Sequence, residues 1–203
     1  MSSDNDKPVI ILDLDQTLIS AEELGRKGIK KYQKKYPDKM KKFKHIQMEE
    51  DFLVFQRPYL QDFLTYIFDN FRVSIWTAAS QLYATFIIEN IILKDHPERK
   101  IDWIFFSYHC NISKQYKNGS KVIKTISEVF DIPGYDNADK YVIFDDYHEV
   151  KESQPDNCIL AEPFEFRDKD SENDAFLQKV TTELQDMVKR SDNNFKIVIE
   201  KLG

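Results

Sequence analysis

The sequence predicts an α/β protein built on a doubly wound, mostly parallel sheet with a small insertion and no large cap. Three observations predict it: short, nearly continuous apolar runs, helical patterns between them, and polar residues placed directly after three of the runs. Val9-Ile10-Ile11-Leu12, Val73-Ser74-Ile75-Trp76 and Tyr141-Val142-Ile143-Phe144 are β-rich and almost unbroken, as strands buried on both faces should be. Phe52–Phe55, Trp103–Phe106 and Cys158–Ala161 read as weaker strands. Helical stretches fall between them at Tyr59–Phe71, Gln81–Leu93 and Val122–Phe130. Asp174–Arg190 sets Phe176, Val180, Leu184 and Met187 on one face behind residues suited to capping. Strands alternating with helices give a parallel sheet covered on both sides. Asp192–Leu202 fits a short strand or a short helix, and periodicity does not decide.

Composition narrows the class further. The 203 residues suit one domain with a modest insertion, and 41% hydrophobic content with only 5 Gly and 7 Pro excludes a disordered or collagen-like chain. Two cysteines, Cys110 and Cys158, are too few for a disulfide framework, so a reducing, cytoplasmic or nuclear compartment is expected. Met1–Asp6 has neither the basic region nor the apolar core of a signal peptide, and no apolar run is long enough to span a membrane. The net charge of −6 conceals an asymmetry. Residues 25–44 carry ten Lys and Arg against one Asp, a local +9 on a body of −15. Electrostatic steering of a polyanion is one reading of that segment. Solvated lysines around Tyr32, Tyr36, Met40 and Phe43 packing inward is the preferred one.

The chemistry sits at the ends of three strands. Asp13-Leu14-Asp15-Gln16-Thr17, Thr77 and Asp145-Asp146 each follow a buried run. In an open α/β sheet, ligands bind beyond the carboxyl ends of the strands, so these groups should converge. Turn and capping carboxylates are the bland alternative. Several like charges crowded together, however, need a cation or a basic partner. A carboxylate can attack phosphorus to give an aspartyl-phosphate that water then hydrolyses. The repulsion between carboxylate and phosphate dianion calls for a hard cation, and Mg²⁺ suits oxygen donors. Asp13 and Asp146 are plausible ligands, with the Asp15 main-chain carbonyl a third. Asp15 would protonate the leaving alcohol and then activate water. Thr77 could donate to a phosphate oxygen, and a lysine would neutralise the remaining charge.

These residues resemble the haloacid dehalogenase superfamily, and more closely its FCP/SCP-like, NLI-interacting-factor-like branch of phosphatases acting on the RNA polymerase II C-terminal domain. The resemblance is carried by Ile11–Leu18, by Gln56-Arg57-Pro58-Tyr59-Leu60-Gln61-Asp62-Phe63-Leu64, by Ser74–Ser80 and by Ile143–Asp146. It implies Asp13 as nucleophile, Asp15 as acid and base, Thr77 as the phosphate-binding hydroxyl, Asp145 as a positioning carboxylate and Asp146 as a Mg²⁺ ligand. The family lysine opens a helix after a short β insertion, expected here at about 103–121. Lys124-Thr125-Ile126-Ser127 fits that pattern, so Lys124 is the candidate, with Lys121 second among Lys114, Lys117, Lys121 and Lys124. The segment Asp131–Asn137 looks like an insertion, and Asp146-Tyr147-His148 departs from the smaller members.

Neither the 62 residues from Asp15 to Thr77 nor the 47 from Thr77 to Lys124 hold a large lid once a strand and a helix are subtracted. An uncapped crevice admits a side chain on a protein more readily than it encloses a metabolite. The resemblance therefore implies a monomeric, Mg²⁺-dependent serine/threonine phosphatase acting on a proline-containing phosphopeptide, with neither nucleic acid nor membrane as partner. A phosphatase of nucleic-acid ends or small phosphoesters, and a silent scaffold, are the alternatives. Phe105, Phe106, Tyr108 and Tyr116 would form the peptide contact or pack in the core. His45, His96, His109 and His148 have no zinc-ligand spacing.

Overall fold

The computed structural model describes residues 7–135, 137, 140–190 and 194–202, so the readings of Met1–Asp6, Asp136 and Asp192 lie outside it. Five parallel strands form the main sheet: β1 (Val9–Leu12), β5 (Arg72–Trp76), β6 (Ile101–Phe105), β7 (Tyr141–Asp145) and β8 (Cys158–Leu160), in the order β6-β5-β1-β7-β8. The chain runs outward from β1 through β5 to β6. It then crosses to the other side of β1 for β7 and β8, which puts a topological switch point beside β1.

The unbroken apolar runs are explained by what covers each face. Ile10 and Leu12 face a cluster with α3 (Leu60–Asn70), α4 (Gln81–Ile87), α8 (Phe176–Arg190) and α9 (Phe195–Leu202). Val9 and Ile11 face a second cluster containing Cys110, Ile126 and Val150. These come from α5 (Ser107–Lys117), α6 (Lys124–Glu128) and α7 (His148–Ser153). Alternate residues of one strand thus feed two cores, so no polar position is tolerated along it. The helical stretch at Gln81–Leu93 is α4 continued by a π-helical turn over Ile88–Ile92. The ambiguous C-terminal segment is a helix, with Phe195, Val198 and Ile199 buried at helical spacing.

A second sheet leaves the end of β1. It pairs β2 (Ile19–Glu23), β4 (Phe52–Gln56) and β3 (His45–Met48) antiparallel, in the order β2-β4-β3. Between β2 and β3 lie α1 (Lys30–Lys35) and α2 (Pro37–Met40), which carry much of the basic segment. Tyr32, Met40 and Phe43 are buried with Phe55, Phe164 and Phe166, and Tyr36 packs against them. Phe55 and Phe166 stack at 3.7 Å between ring centroids, an arrangement worth about 0.5–1.5 kcal/mol beyond area burial. The lysines are therefore the solvated rim of an aromatic core.

The expected β insertion at 103–121 is corrected. That stretch is the end of β6, then helix α5, then a turn. Cys110 and Ser113, three apart, are the buried residues of α5, and Asn118 closes it in the left-handed conformation at φ 59°. His109 accordingly stands in the first turn of a helix rather than in a strand, and its Nδ1 accepts the Phe106 N–H at 2.9 Å.

Candidate active site

The register of the main sheet explains why distant residues meet. Leu12 pairs with Ile75 on one side and Phe144 on the other. Asp13 therefore emerges level with Trp76 and Asp145, with Thr77 and Asp146 one residue beyond. Its N–H donates to Phe144 O at 2.9 Å, and the Thr77 N–H to Phe105 O at 2.9 Å, so both are anchored by the sheet's own ladder. The groups open into a crevice of about 610 Å³. Its lining includes Asp13, Asp15, Thr77, Lys121, Asp145 and Asp146.

Of the two lysines that line it, Lys114 and Lys121, the one that reaches the carboxylates is Lys121. Its Nζ donates to Asp13 Oδ1 at 2.5 Å and to Asp145 Oδ2 at 2.6 Å, and its side chain is 5% exposed. Lys124, the first candidate, begins α6 on the exposed surface, outside the crevice lining, and Lys121, the second, is the one placed beside the carboxylates. The reason is local geometry. Lys124 starts the helix, whereas Lys121 sits in the turn before it, and that turn is tied to its neighbours. Ser113 Oγ donates to Gly119 O at 2.6 Å and accepts the Val122 N–H at 3.1 Å. Gln154 donates to Lys121 O at 2.7 Å and accepts the Ile123 N–H at 3.0 Å. Glu149 accepts the Ser120 N–H at 2.9 Å. A Cβ at Gly119 would stand 2.6 Å from Val122 Cγ2, so the turn is closely packed.

The remaining groups are also held. Asp145 accepts the Tyr147 N–H at 2.9 Å on the oxygen that Lys121 leaves free. Thr17 donates to Asp146 Oδ1 at 3.2 Å, and Tyr83 donates to Asp15 Oδ1 at 2.6 Å. Thr77 Oγ1 accepts the Ala79 N–H at 3.1 Å, which leaves its proton for another acceptor. Sequence reasoning missed Tyr83, Ser113, Glu149 and Gln154. Tyr83 lay six residues beyond Thr77 in a helical stretch, but nothing in its pattern distinguished it from a core aromatic.

Electrostatics follow from burial. Burial raises Asp13 above the ordinary carboxylate range, Lys121 pulls it back and Asp145 adds to the rise. Burial also raises Asp15, against its bond from Tyr83. It raises Asp146 with help from Asp145. For Lys121 burial acts against the charge, but Asp13 and Asp145 outweigh it and hold the ammonium protonated. Ligand oxygens of Asp13, Asp145 and Asp146 lie within 4.8 Å of one another. Three hard oxygen donors, crowded and partly desolvated, fit a divalent cation. Asp145 already uses both oxygens on Lys121 and Tyr147, so Asp13 and Asp146 are the better donors of the three.

Residues 8–194 match the NLI interacting factor-like phosphatase family. The chain belongs to this family. A CTD phosphatase-like protein of Invertebrate iridescent virus 6 is 42% identical over 193 residues, which cover 91% of this chain and 98% of the relative. Its counterpart in Invertebrate iridescent virus 3 is 39% identical over 186 residues, 89% of this chain and 97% of the relative. Among solved structures, Fcp1, described as an essential RNA polymerase II CTD phosphatase, superposes with a TM-score of 0.59 at 17% identity. That match covers 97% of this chain and 70% of Fcp1. The fission yeast enzyme bound to beryllium fluoride gives 0.57 at 20% identity, covering 93% and 53%. Family and fold together make this chain a phosphatase with a haloacid dehalogenase fold. Among the described residues, no helix is long and apolar enough to cross a membrane.

Proposed function

We propose that this chain is a divalent-cation-dependent protein serine/threonine phosphatase that works through an aspartyl-phosphate on Asp13. The observation that carries the proposal is Lys121 bridging Asp13 and Asp145 at the floor of a crevice also lined by Asp15 and Thr77. Lys121 opposes the rise that burial imposes on Asp13 and so favours its carboxylate form, and it offers positive charge to the phosphoryl oxygens. The Thr77 hydroxyl donates to one of those oxygens. Asp13 attacks phosphorus, and the bond to the leaving oxygen breaks as Asp15 delivers its proton. Asp15, now a carboxylate, takes a proton from water as that water attacks the aspartyl-phosphate, and phosphate leaves. Tyr83 fixes which way the Asp15 carboxyl points. Asp13 and Asp146 would hold the cation, Mg²⁺ being the fitting one. When bound it supplies the charge that lets a phosphate dianion approach carboxylates.

An open crevice supports a side chain on a polymer as substrate, and the names of the relatives support a phosphorylated segment such as the RNA polymerase II C-terminal domain. The test is hydrolysis of para-nitrophenyl phosphate and of a proline-containing phosphoserine peptide, with and without Mg²⁺, by wild type and Asp13→Asn. The expected result is Mg²⁺-dependent turnover of both substrates by wild type. The variant should lose at least about 10⁴-fold while keeping its fold, the scale of removing a nucleophile. Full activity in Asp13→Asn would overturn the mechanism.

A further inference from the structure

We infer that the α5 wall of the crevice selects substrates carrying a second anionic group beside the scissile phosphate, with Lys114 as the residue that reads it. The inference rests on the phosphatase reading above and specifies its substrate class.

Ser107, Asn111 and Lys114 all line the crevice that holds Asp13, Thr77 and Lys121. They are spaced by four and three residues, so they form one stripe along α5. The two lysines lining the crevice differ in what they do. Lys121 is buried and shared between two carboxylates. Lys114 is exposed and, among the described residues, makes no ion pair. Its helical neighbour Lys117 is paired with Glu128. Lys114 is thus a cation facing a ligand space with no protein anion assigned to it.

Size argues that something besides phosphate occupies this space. A crevice of about 610 Å³ falls within the ~300–1,000 Å³ that accommodates whole ligands, far more than one phosphoryl group fills. Charge argues for what that something is. The lining also carries Asp13, Asp15, Asp145 and Asp146, with Lys121 shared between Asp13 and Asp145. Lys121 and the cation serve the scissile phosphate, so a flanking anion beside it meets carboxylates except toward Lys114 on α5. The fitting substrate is a phosphoserine or phosphothreonine peptide with an Asp, a Glu or a second phosphate close to the scissile residue, turned toward Lys114 and Asn111.

The test is kcat/KM on a set of phosphoserine peptides in which one Asp is walked from three residues before to three residues after the phosphoserine. Each has matched Asn and Lys versions, and all are assayed with wild type, Lys114→Met and Lys114→Glu. Wild type is expected to prefer Asp over Asn by about two- to fivefold at one or two adjacent positions, the size of a partly exposed ion pair. Lys114→Met should reduce that ratio to about one, and Lys114→Glu should invert it in favour of Lys at the same positions. Equal kcat/KM for all three flanks in wild type would overturn the inference while leaving the phosphatase reading standing. So would an undiminished ratio in both variants, including the case where they weaken every peptide alike because Lys114 serves the scissile phosphate itself. Hydrolysis of no peptide and no para-nitrophenyl phosphate by wild type would overturn both.

Discussion

Among the described residues, two buried cations are ion-paired to carboxylates, and their surroundings differ. Arg57, 1% exposed, donates from Nε and Nη2 to the two oxygens of Asp174 at 3.0 and 2.8 Å and from Nη1 to Thr17 O at 3.0 Å. Its guanidinium also lies over the rings of Phe164 and Phe176. Both edges and both faces of it are engaged, and it ties the connection between β4 and α3 to the residues just before α8. Lys121 instead divides one ammonium between two carboxylates, Asp13 and Asp145, that line an open crevice with it. A saturated, bidentate pair is a fastener. A cation shared by two carboxylates, with a ligand space beside it, is poised to trade part of that interaction for an incoming anion.

That contrast can be broken by substitution. Arg57→Met leaves Asp174 without its partner and is expected to cost about 3–5 kcal/mol of stability, read by denaturant unfolding. Its kcat, measured below the unfolding range, should stay within a few-fold. Lys121→Met should do the opposite: a loss of about 10²–10³ in kcat/KM, the scale of removing one preorganised donor, with the fold retained. Asp13, already raised by burial and by Asp145, would rise further without Lys121 and be neutral rather than a second buried charge. Lys124→Met should change neither activity nor stability by more than about 0.5 kcal/mol, as an exposed position does. If Lys124→Met were the damaging variant, the assignment of Lys121 would be wrong.

A smaller effect sharpens the role of Asp15. Burial raises its pKa, so its protonated form persists to higher pH than an ordinary aspartate allows. As an acid it works only while protonated, so kcat/KM for an alkyl phosphate or phosphoserine should fall as pH rises through that raised value. With para-nitrophenyl phosphate, whose leaving group scarcely needs a proton, the fall should be shallower. Identical profiles for the two substrates would count against Asp15 as the acid.

Much of this was legible in the residues because it rests on local patterns. Strands buried on both faces are nearly continuously apolar, with Ser74 of β5 tolerated because it hydrogen-bonds the Tyr135 hydroxyl at 2.7 Å, and this made β1, β5 and β7 readable. The polar groups directly after them then had only one place to go, so Asp13, Asp15, Thr77, Asp145 and Asp146 could be named. The second sheet was only partly visible. β3 (His45–Met48) alternates exposed and half-buried residues at an edge, and β2 (Ile19–Glu23) ends in two glutamates. Neither carries the apolar run that marks a central strand. Lys121 ranked second to Lys124 in the sequence because its position depends on Ser113 of α5 and on Glu149 and Gln154 in and at the end of α7, which hold its turn. Tertiary hydrogen bonds of that kind leave no periodicity to read. The basic segment shows the reverse case, since Tyr32, Met40 and Phe43 stood at spacings that reported their burial.

The central claim, that Asp13 becomes covalently phosphorylated and Asp15 then activates water, is tested most directly by a rapid-mixing burst with para-nitrophenyl phosphate and Mg²⁺ on Asp15→Asn. This substrate can leave without an acid, but the intermediate cannot be hydrolysed well without a base. The account predicts a burst of about one nitrophenolate per active chain followed by slow turnover, and no burst in Asp13→Asn. No burst in Asp15→Asn while wild type turns over, or a burst that survives in Asp13→Asn, would contradict it.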